Sequence, residues 1–521
     1  MSDVIVLVWV GFIFFGAVFF TSISILHLVQ QNKIGFDKGF LFSLSACLLS
    51  VLLCLSIWPP VHRVYQDEFT YISQSVNILY FGKASITTIG SLHQPEAFFS
   101  WTANPKLPGF AWLEAVILFL TKDFEHSYFL LNIVLGALSV VVVYRIAWAL
   151  SASHAVAWWS AVFLACLPAR ITYSMSDASD TAGLFFFLLY YFFIIEFKTI
   201  PSKRILYAAL FCGIYSICIK PFYAVLMLGG TGMALRMYQR EGLLDKKLFQ
   251  RILLDIVCLF LPILSAAPVF IWSDSKAGAY SFSFMLNNFY VSASYLFQCK
   301  QNTLLTSLLV FYEVGRNMFY KKDNLMTWLA GWFFMGLLMF SVFFSGGISY
   351  PGHAYSDRYF LFLAFPFVFL AAKGMVDILT GVWRPILGGL FFIILVVNAV
   401  SASNHLNYEA RYNFHYQKTL LLKQIYQLVP NEAYILDECA ALVTTIGPKK
   451  AINTDIFLDG NYPQKLVYLK GIPEDLYNSD DPKRMILVNN VLNAFYRCKP
   501  LTDLPIKEAY LSATPFLCTR K

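Results

Sequence analysis

Long runs of apolar side chains, separated by short polar stretches, leave this chain little choice of fold. The stretch "LFSLSACLLSVLLCLSIW" (41–58) is one such run. A helix needs about 20 mainly apolar residues to cross a bilayer. In hydrocarbon, only helices and closed barrels satisfy their own backbone groups. Runs of this kind lie at 4–28, 39–58, 126–148, 154–174, 180–197, 204–219, 222–237, 252–272, 303–320, 325–345, 359–378 and 385–402. They predict an α-helical polytopic membrane protein with about 12 transmembrane helices. A further run at 107–120 is too short to span and is expected to form a juxtamembrane or re-entrant helix. Composition agrees: only 13% of residues are charged and the mean hydropathy is +0.60, against about 25% charged in soluble chains. The first run has no basic stretch before it and no small-residue cleavage site after it, so it is expected to stay as a helix.

Basic residues in short loops mark the cytoplasmic side of a membrane protein. Strict alternation from the loop holding Lys33 and Lys38 puts Arg145, Lys198, Lys203 and Arg204 on that side. It also puts there the cluster from Arg236 to Arg251, then Arg316, Lys321, Lys322, Lys373 and Arg384. The longer loops 59–125, 273–302 and 346–358 then face outward, as does everything after about residue 403. The net charge of +8 is spread between apolar runs and forms no continuous basic face. That excludes a nucleic-acid-binding surface.

Two domains are expected: a membrane domain over 1–402 and a small outward-facing soluble α/β domain over 403–521. In the second, "KTLLLKQIYQLV" has helical periodicity, while "AYILDE", "RMILVNN" and "EAYLSATPFLCTR" read as strands. "LDGNYP" carries turn chemistry. Cys439, Cys498 and Cys518 lie here, and in an oxidising compartment two of them can pair. The sequence leaves that pairing open.

Charges near the ends of apolar runs deserve separate scrutiny in a chain that has so few. "YQDEFTY" (65–71) places Asp67 and Glu68 just beyond the second run. A solvated pair at the start of a following helix is the plain alternative. "NPKLPGFAWLEA" (104–115) places Lys106 before Pro108, where a snorkelling Lys near a helix start is equally ordinary. "YSMSDASDTAG" (173–183) offers Asp177 and Asp180, which as helix caps would need no function. Lys220 in "CIKPFY" sits in a tight turn, where a charge close to the apolar slab calls for a partner. "YPGHAYSDRYFLFLAFPFVFL" (350–370) adds His353, Asp357 and Arg358. All are expected on the outer face. Carboxylates can serve as general bases toward a hydroxyl. Lys and Arg at the membrane edge can hold a lipid-linked phosphate, Arg bidentately.

In order and spacing over roughly 40–400, these segments resemble the polytopic GT-C glycosyltransferases. The branch with the protein O-mannosyltransferases and the lipid A aminoarabinose transferase is the most similar. "QDEFTY" resembles the acidic motif of that family's first outer loop. "KLPGFAWLEA" resembles its Lys-Pro-Pro-x-x-x-Trp-Leu segment, with Lys106, Pro108 and Trp112 in register. Asp180 matches the acidic residue before a later helix, and "DRYFLFLAFP" the late Arg-Tyr-Leu-x-x-x-x-Pro helix. Two features depart from the branch. Pro105 stands where an acidic residue precedes the Lys, leaving Glu96 as the substitute candidate, and an extra helix precedes the family's first.

The resemblance implies transfer of a sugar from a polyprenyl-phosphate carrier to a lipid, glycan or protein acceptor on the periplasmic face of the inner membrane, with inversion. Asp67 would be the general base and Glu68 its support. Lys106, Lys220 and Arg358 would neutralise the leaving phosphate, and Asp180, Glu96 and His353 would contact sugar or acceptor. The lipid-linked sugar is the co-substrate. No cofactor is expected, and no metal is assigned although the outer carboxylates leave a divalent ion open. The alternatives are a transporter or flippase of lipid-linked glycan, or a ligase of preassembled glycan. A transporter would more often carry its charges at midplane in paired repeats.

Overall fold

The computed structural model describes residues 3–31, 38–62, 65–91, 100–103, 107–123, 126–221, 223–224, 226–227, 250, 304–321, 323–343, 361–379, 383–411, 414–437, 439–447, 449–470, 483–502, 505–508 and 511–521. In chain order it begins with helices α1 (Asp3–Gln30), α2 (Lys38–Leu55) and α3 (Tyr65–Phe81). Strands β1 (Ser85–Gly90) and β2 (Ser100–Ala103) follow. Then come α4 (Gly109–Thr121), α5 (Ser127–Ser151), α6 (His154–Ala165), α7 (Pro168–Ser174), α8 (Asp180–Thr199) and α9 (Lys203–Ile219). Later helices span Leu304–Arg316, Asn324–Phe343, Ala364–Ile378 and Arg384–Arg411. The expected spans at 222–237 and 252–272 fall almost entirely outside the described residues, and the other ten coincide with helices. Six helices are long and apolar enough to cross a membrane among the described residues, or seven with α6 and α7 taken as one broken span. The protein is a multi-pass membrane protein.

The chain divides into two compact units. The first joins Val8–Pro60 to Phe129–Asn407 and holds the spanning helices. Two local solutions to membrane physics stand out in it. Gly374 lets the helix Ala364–Ile378 approach Leu304–Arg316 closely, since an added Cβ would lie 2.6 Å from the Leu309 carbonyl oxygen. That approach brings Asp377 to Arg316, which also contacts the buried Glu313 of its own helix at 2.9 Å.

The second solution is Arg170. The span through α6 and α7 bends by 58°. Pro168 opens α7 and has no N–H to give, so the last carbonyls of α6 lose helical partners. The fully buried Arg170 guanidinium donates to the Ala165 carbonyl, to Ser50 Oγ at 2.5 Å and to Cys54 Sγ at 3.5 Å. Its positive charge also faces the negative end of the α6 dipole. A cation that is expensive in this setting therefore closes the break.

The second unit joins Ser2–Leu7 and Val61–Tyr128 to Tyr408–Lys521. Its sheet runs β2-β1-β4-β3-β5-β8-β6, with β7 (Ile506–Glu508) paired to β8 (Leu511–Arg520). The centre is parallel: β3 (Tyr434–Asp437) lies between β4 (Lys450–Asn453) and β5 (Lys465–Lys470). Successive residues face opposite sides, as a pleat requires. Ile435, Ala451 and Val467 enter one core, and Leu436, Ile452 and Leu466 the other. The first core takes Phe69, Ile72 and Val76 from one face of α3, with Leu421, Leu422 and Ile425 of the helix Phe414–Ile425. Each such burial is worth about 1.5–3 kcal/mol. The boundary expected near 402 thus meets a sheet that also recruits β1 and β2 from the loop 59–125, with Ile89 opposite Ile452. α3 is sewn to that hairpin: Asn77 Nδ2 donates to Ser85 O at 2.9 Å, and Thr87 N–H to Ser73 Oγ at 2.8 Å.

"AYILDE" and "EAYLSATPFLCTR" form β3 and β8, and Gly460 turns "LDGNYP" with φ of 101°. "RMILVNN" differs: it lies in the helix Lys483–Phe495, and its buried Val488 and Leu492 are four apart, a helical spacing. Cys498 of β6 (Tyr496–Pro500) faces Cys518 of β8 and forms a disulfide with it, while Cys439 is in no disulfide.

Replacing Arg170 by Leu is expected to lower stability by about 1–3 kcal/mol, since it strips the Ala165 carbonyl of its donor. Arg170→Lys, which reaches fewer acceptors, should recover only part. Thermal melting in detergent checks both.

Candidate functional site

In the second unit, the acidic motif opens α3. Its N-terminal turn follows directly from the loop that leaves α2. Glu68 is fully buried, and its Oε2 lies 2.5 Å from Nδ1 of His62. The His62 ring packs on Phe69 at 4.6 Å between centroids. Asp67 belongs to the same turn, with its side chain outside the described set. The helix α4 lies along α3, with Tyr71 and Phe110 edge to face at 5.3 Å. Trp112 of "KLPGFAWLEA" donates its indole N–H to the Leu7 carbonyl at 3.1 Å. Glu114, two residues on, is fully buried. Lys106 and Glu96 lie outside the described residues.

In the first unit, Asp180 and Lys220 meet. Lys220 Nζ is 3.2 Å from Asp180 Oδ1, and both side chains are buried. Asp180 opens α8 and Lys220 closes α9, so the packing of those two helices brings the charges together. The connection 175–179 is buried throughout. Asn132 of α5 holds it, donating to Ser176 O at 2.7 Å and Ala178 O at 3.1 Å. Asp177 sits inside it, fully buried. Ser179, the residue before α8, makes no side-chain capping bond. The stretch is a buried, held loop rather than a solvated one. His353 and Arg358 lie outside the described residues.

The sheet of the second unit carries another buried charge pair. Lys418 Nζ lies 2.7 Å from Asp437 Oδ2, at the carboxyl end of β3. Burial pushes the nearby Tyr426 phenol up, and the Asp437 carboxylate adds in the same direction. Among the described residues, no three His, Cys, Asp or Glu side chains lie together as a metal-ion site would need.

Sequence reasoning singled out Asp180 and Lys220 separately and missed that they pair. It missed His62, which shares no periodicity with Glu68 because a helix boundary separates them. It passed over Glu114, although a lone carboxylate in an apolar helix is itself a signal.

No protein-family model and no curated protein matches the chain. Solved structures do. The arrangement is similar to ArnT from Cupriavidus metallidurans bound to undecaprenyl phosphate, with a TM-score of 0.55 and 12% identity over 92% of this chain and 98% of that one. The apo state of the same protein gives a TM-score of 0.55 at 12% identity, over 92% of this chain and 97% of that one. The apo oligosaccharyltransferase of Archaeoglobus fulgidus overlaps with a TM-score of 0.46 at 12% identity, over 89% of this chain and 70% of that one. The chain has the GT-C fold of polytopic membrane proteins. The resemblance read from "QDEFTY", "KLPGFAWLEA" and Asp180 and the full-length likeness to ArnT meet on this one architecture.

The buried Asp180–Lys220 pair gives a direct test of the first unit. Lys220→Met removes the cation facing the buried Asp180 and is expected to destabilise by about 3–5 kcal/mol. Lys220→Met with Asp180→Leu should be closer to wild type, because the second change removes the buried carboxylate as well. Melting curves of the single and double variants check this coupling.

Proposed function

We propose that this protein is a membrane glycosyltransferase that moves a sugar from a polyprenyl-phosphate donor to a hydroxyl of a lipid, glycan or protein acceptor. The observation that carries the reading is the full-length likeness to ArnT, a protein crystallised with undecaprenyl phosphate. The placement of an acidic dipeptide at the start of α3 adds to it.

In the proposed reaction Asp67 takes the proton of the acceptor hydroxyl as it attacks the anomeric carbon. The bond from that carbon to the phosphate oxygen breaks, and polyprenyl phosphate leaves with its electron pair. Attack opposite the leaving group inverts the anomeric centre. Glu68 supports Asp67. Lys106, Lys220 and Arg358 meet the negative charge that grows on the phosphate, an electrostatic role in which one donor is worth about 100- to 1,000-fold in rate. Asp180, Glu96 and His353 contact sugar or acceptor. Lys220 brings a constraint of its own, since its ammonium already faces Asp180. Three N–H donors allow it to serve both. The hydrophobic carrier stays in the bilayer, so the reacting head meets the enzyme at the interface, where excluding water limits hydrolysis.

We place the protein in the inner membrane with its C-terminal part in the periplasm. The skewed loop charges support that orientation. The Cys498–Cys518 bond supports it independently, because disulfides persist in oxidising compartments.

Two experiments test the proposal. Mass spectrometry of envelope glycolipids and glycoproteins, with and without the gene, is expected to reveal one sugar modification that depends on it. Asp67→Asn should lose about 100-fold or more of the transfer rate, with expression and membrane insertion unchanged. Wild-type transfer by that variant removes Asp67 from the reaction. Transbilayer movement of a lipid-linked sugar with no product formed supports a flippase instead.

A further inference from the structure

We infer that His62 is a positioning residue for the acidic motif, and that the two neighbouring carboxylates divide their work: Glu68 anchors the start of α3, leaving Asp67 for the acceptor. The inference rests on the glycosyltransferase reading above and adds a residue to it.

The geometry begins with burial. The Glu68 side chain is 0% exposed and that of His62 19%. A carboxylate taken out of water costs several kcal/mol unless a partner and hydrogen bonds compensate it. Nδ1 of His62, 2.5 Å from Oε2, supplies such a partner. A sugar hydroxyl seeking that oxygen would have to displace the imidazole.

The imidazole is itself held. Its ring lies on Phe69, which is 1% exposed, and Val61 beside it is 2% exposed. His62 precedes the helix and Glu68 lies in its first turns, so the contact ties the incoming chain to α3 across its N-terminus. Phe69 continues into the core that α3 shares with Leu421 and Leu422. The clamp therefore links the acidic motif to a rigid core. Adjacent residues of a helix lie about 100° apart around its axis. Fixing residue 68 fixes where residue 67 departs from the helix. Placement errors of about 1 Å at a reacting group can lower a rate by about 100-fold, which is the scale of effect this clamp can exert.

The test uses the full-length protein in lipid nanodiscs, assayed against a panel of undecaprenyl-phosphate hexoses and pentoses. His62→Ala is expected to lower kcat by about 100-fold while the donor KM stays within about twofold. His62→Asn, whose amide N–H can stand near Nδ1, should regain about tenfold of that loss. The pair His62→Ala, Glu68→Gln should be no slower than the slower single variant, as members of one unit behave. Melting temperatures are read alongside. If His62→Ala does not fold, the Asn and Gln variants carry the comparison. A kcat within about twofold of wild type for His62→Ala, or losses that multiply in the double variant, overturns the inference. So does a loss that appears wholly in KM, or one that His62→Asn fails to relieve. A wild type that turns over no polyprenyl-linked sugar sinks the transferase reading and takes this inference with it. An active wild type with an unimpaired His62→Ala sinks this inference alone.

Discussion

Within hydrocarbon, a carbonyl or N–H without a partner has no water to turn to, and the first unit is arranged around that constraint. Uninterrupted helices such as α5 and α8 meet it by themselves. The interruptions meet it with side chains. At the break after α6, Arg170 donates to the Ala165 carbonyl. In the connection before α8, Asn132 donates to Ser176 O and Ala178 O. Each polar group so placed makes irregular backbone tolerable inside the bundle. Irregular backbone is in turn what lets a helical bundle carry functional groups at its ends.

The second unit solves a different problem. A helix like α3, with Thr70, Ser73, Ser75 and Asn77 of low helix propensity along it, would be weak alone. It gains order from the sheet. Its apolar face enters a core built mostly from residues after 408, and its polar stripe bonds to the hairpin that extends the same sheet. The acidic motif at its first turn inherits that rigidity. The C-terminal residues are thus part of what fixes the motif, which gives them a role before any acceptor is considered. The disulfide between β6 and β8 adds a covalent tie at the sheet edge, and the exposed Arg497 and Lys499 discourage further strand pairing there.

How much of this was legible depended on the range of the interaction. Spans are read from local apolar length, and 41–58 or 385–402 needed nothing else. The alternation in "AYILDE" announced β3 for the same reason. "RMILVNN" is too short to separate the two periodicities, and the helix wins because Val488 and Leu492 find one core together. The hairpin of β1 and β2 joins strands more than 350 positions further along, which no local pattern encodes. Asp180 and Lys220 stood out singly as charges near apolar runs. Their pairing is set by how α8 packs on α9. Glu68 was legible as a carboxylate, and its burial against His62 was not.

Pairing changes what these charges can do. An isolated ammonium attracts a phosphate through net charge, an attraction that reaches about a Debye length before salt screens it. The Lys220–Asp180 pair is close to neutral from a distance and offers no such reach. What it offers is a directional N–H donor held in place by its carboxylate. A donor phosphate would gain from that geometry at contact range, after the carrier chain had already brought it to the interface. Long-range attraction is dispensable for a substrate confined to the membrane, since two-dimensional confinement supplies the encounter. In the proposed reaction, a paired, pre-oriented cation would suit a phosphate whose charge increases as the sugar departs, because fixed donors need little rearrangement at that moment.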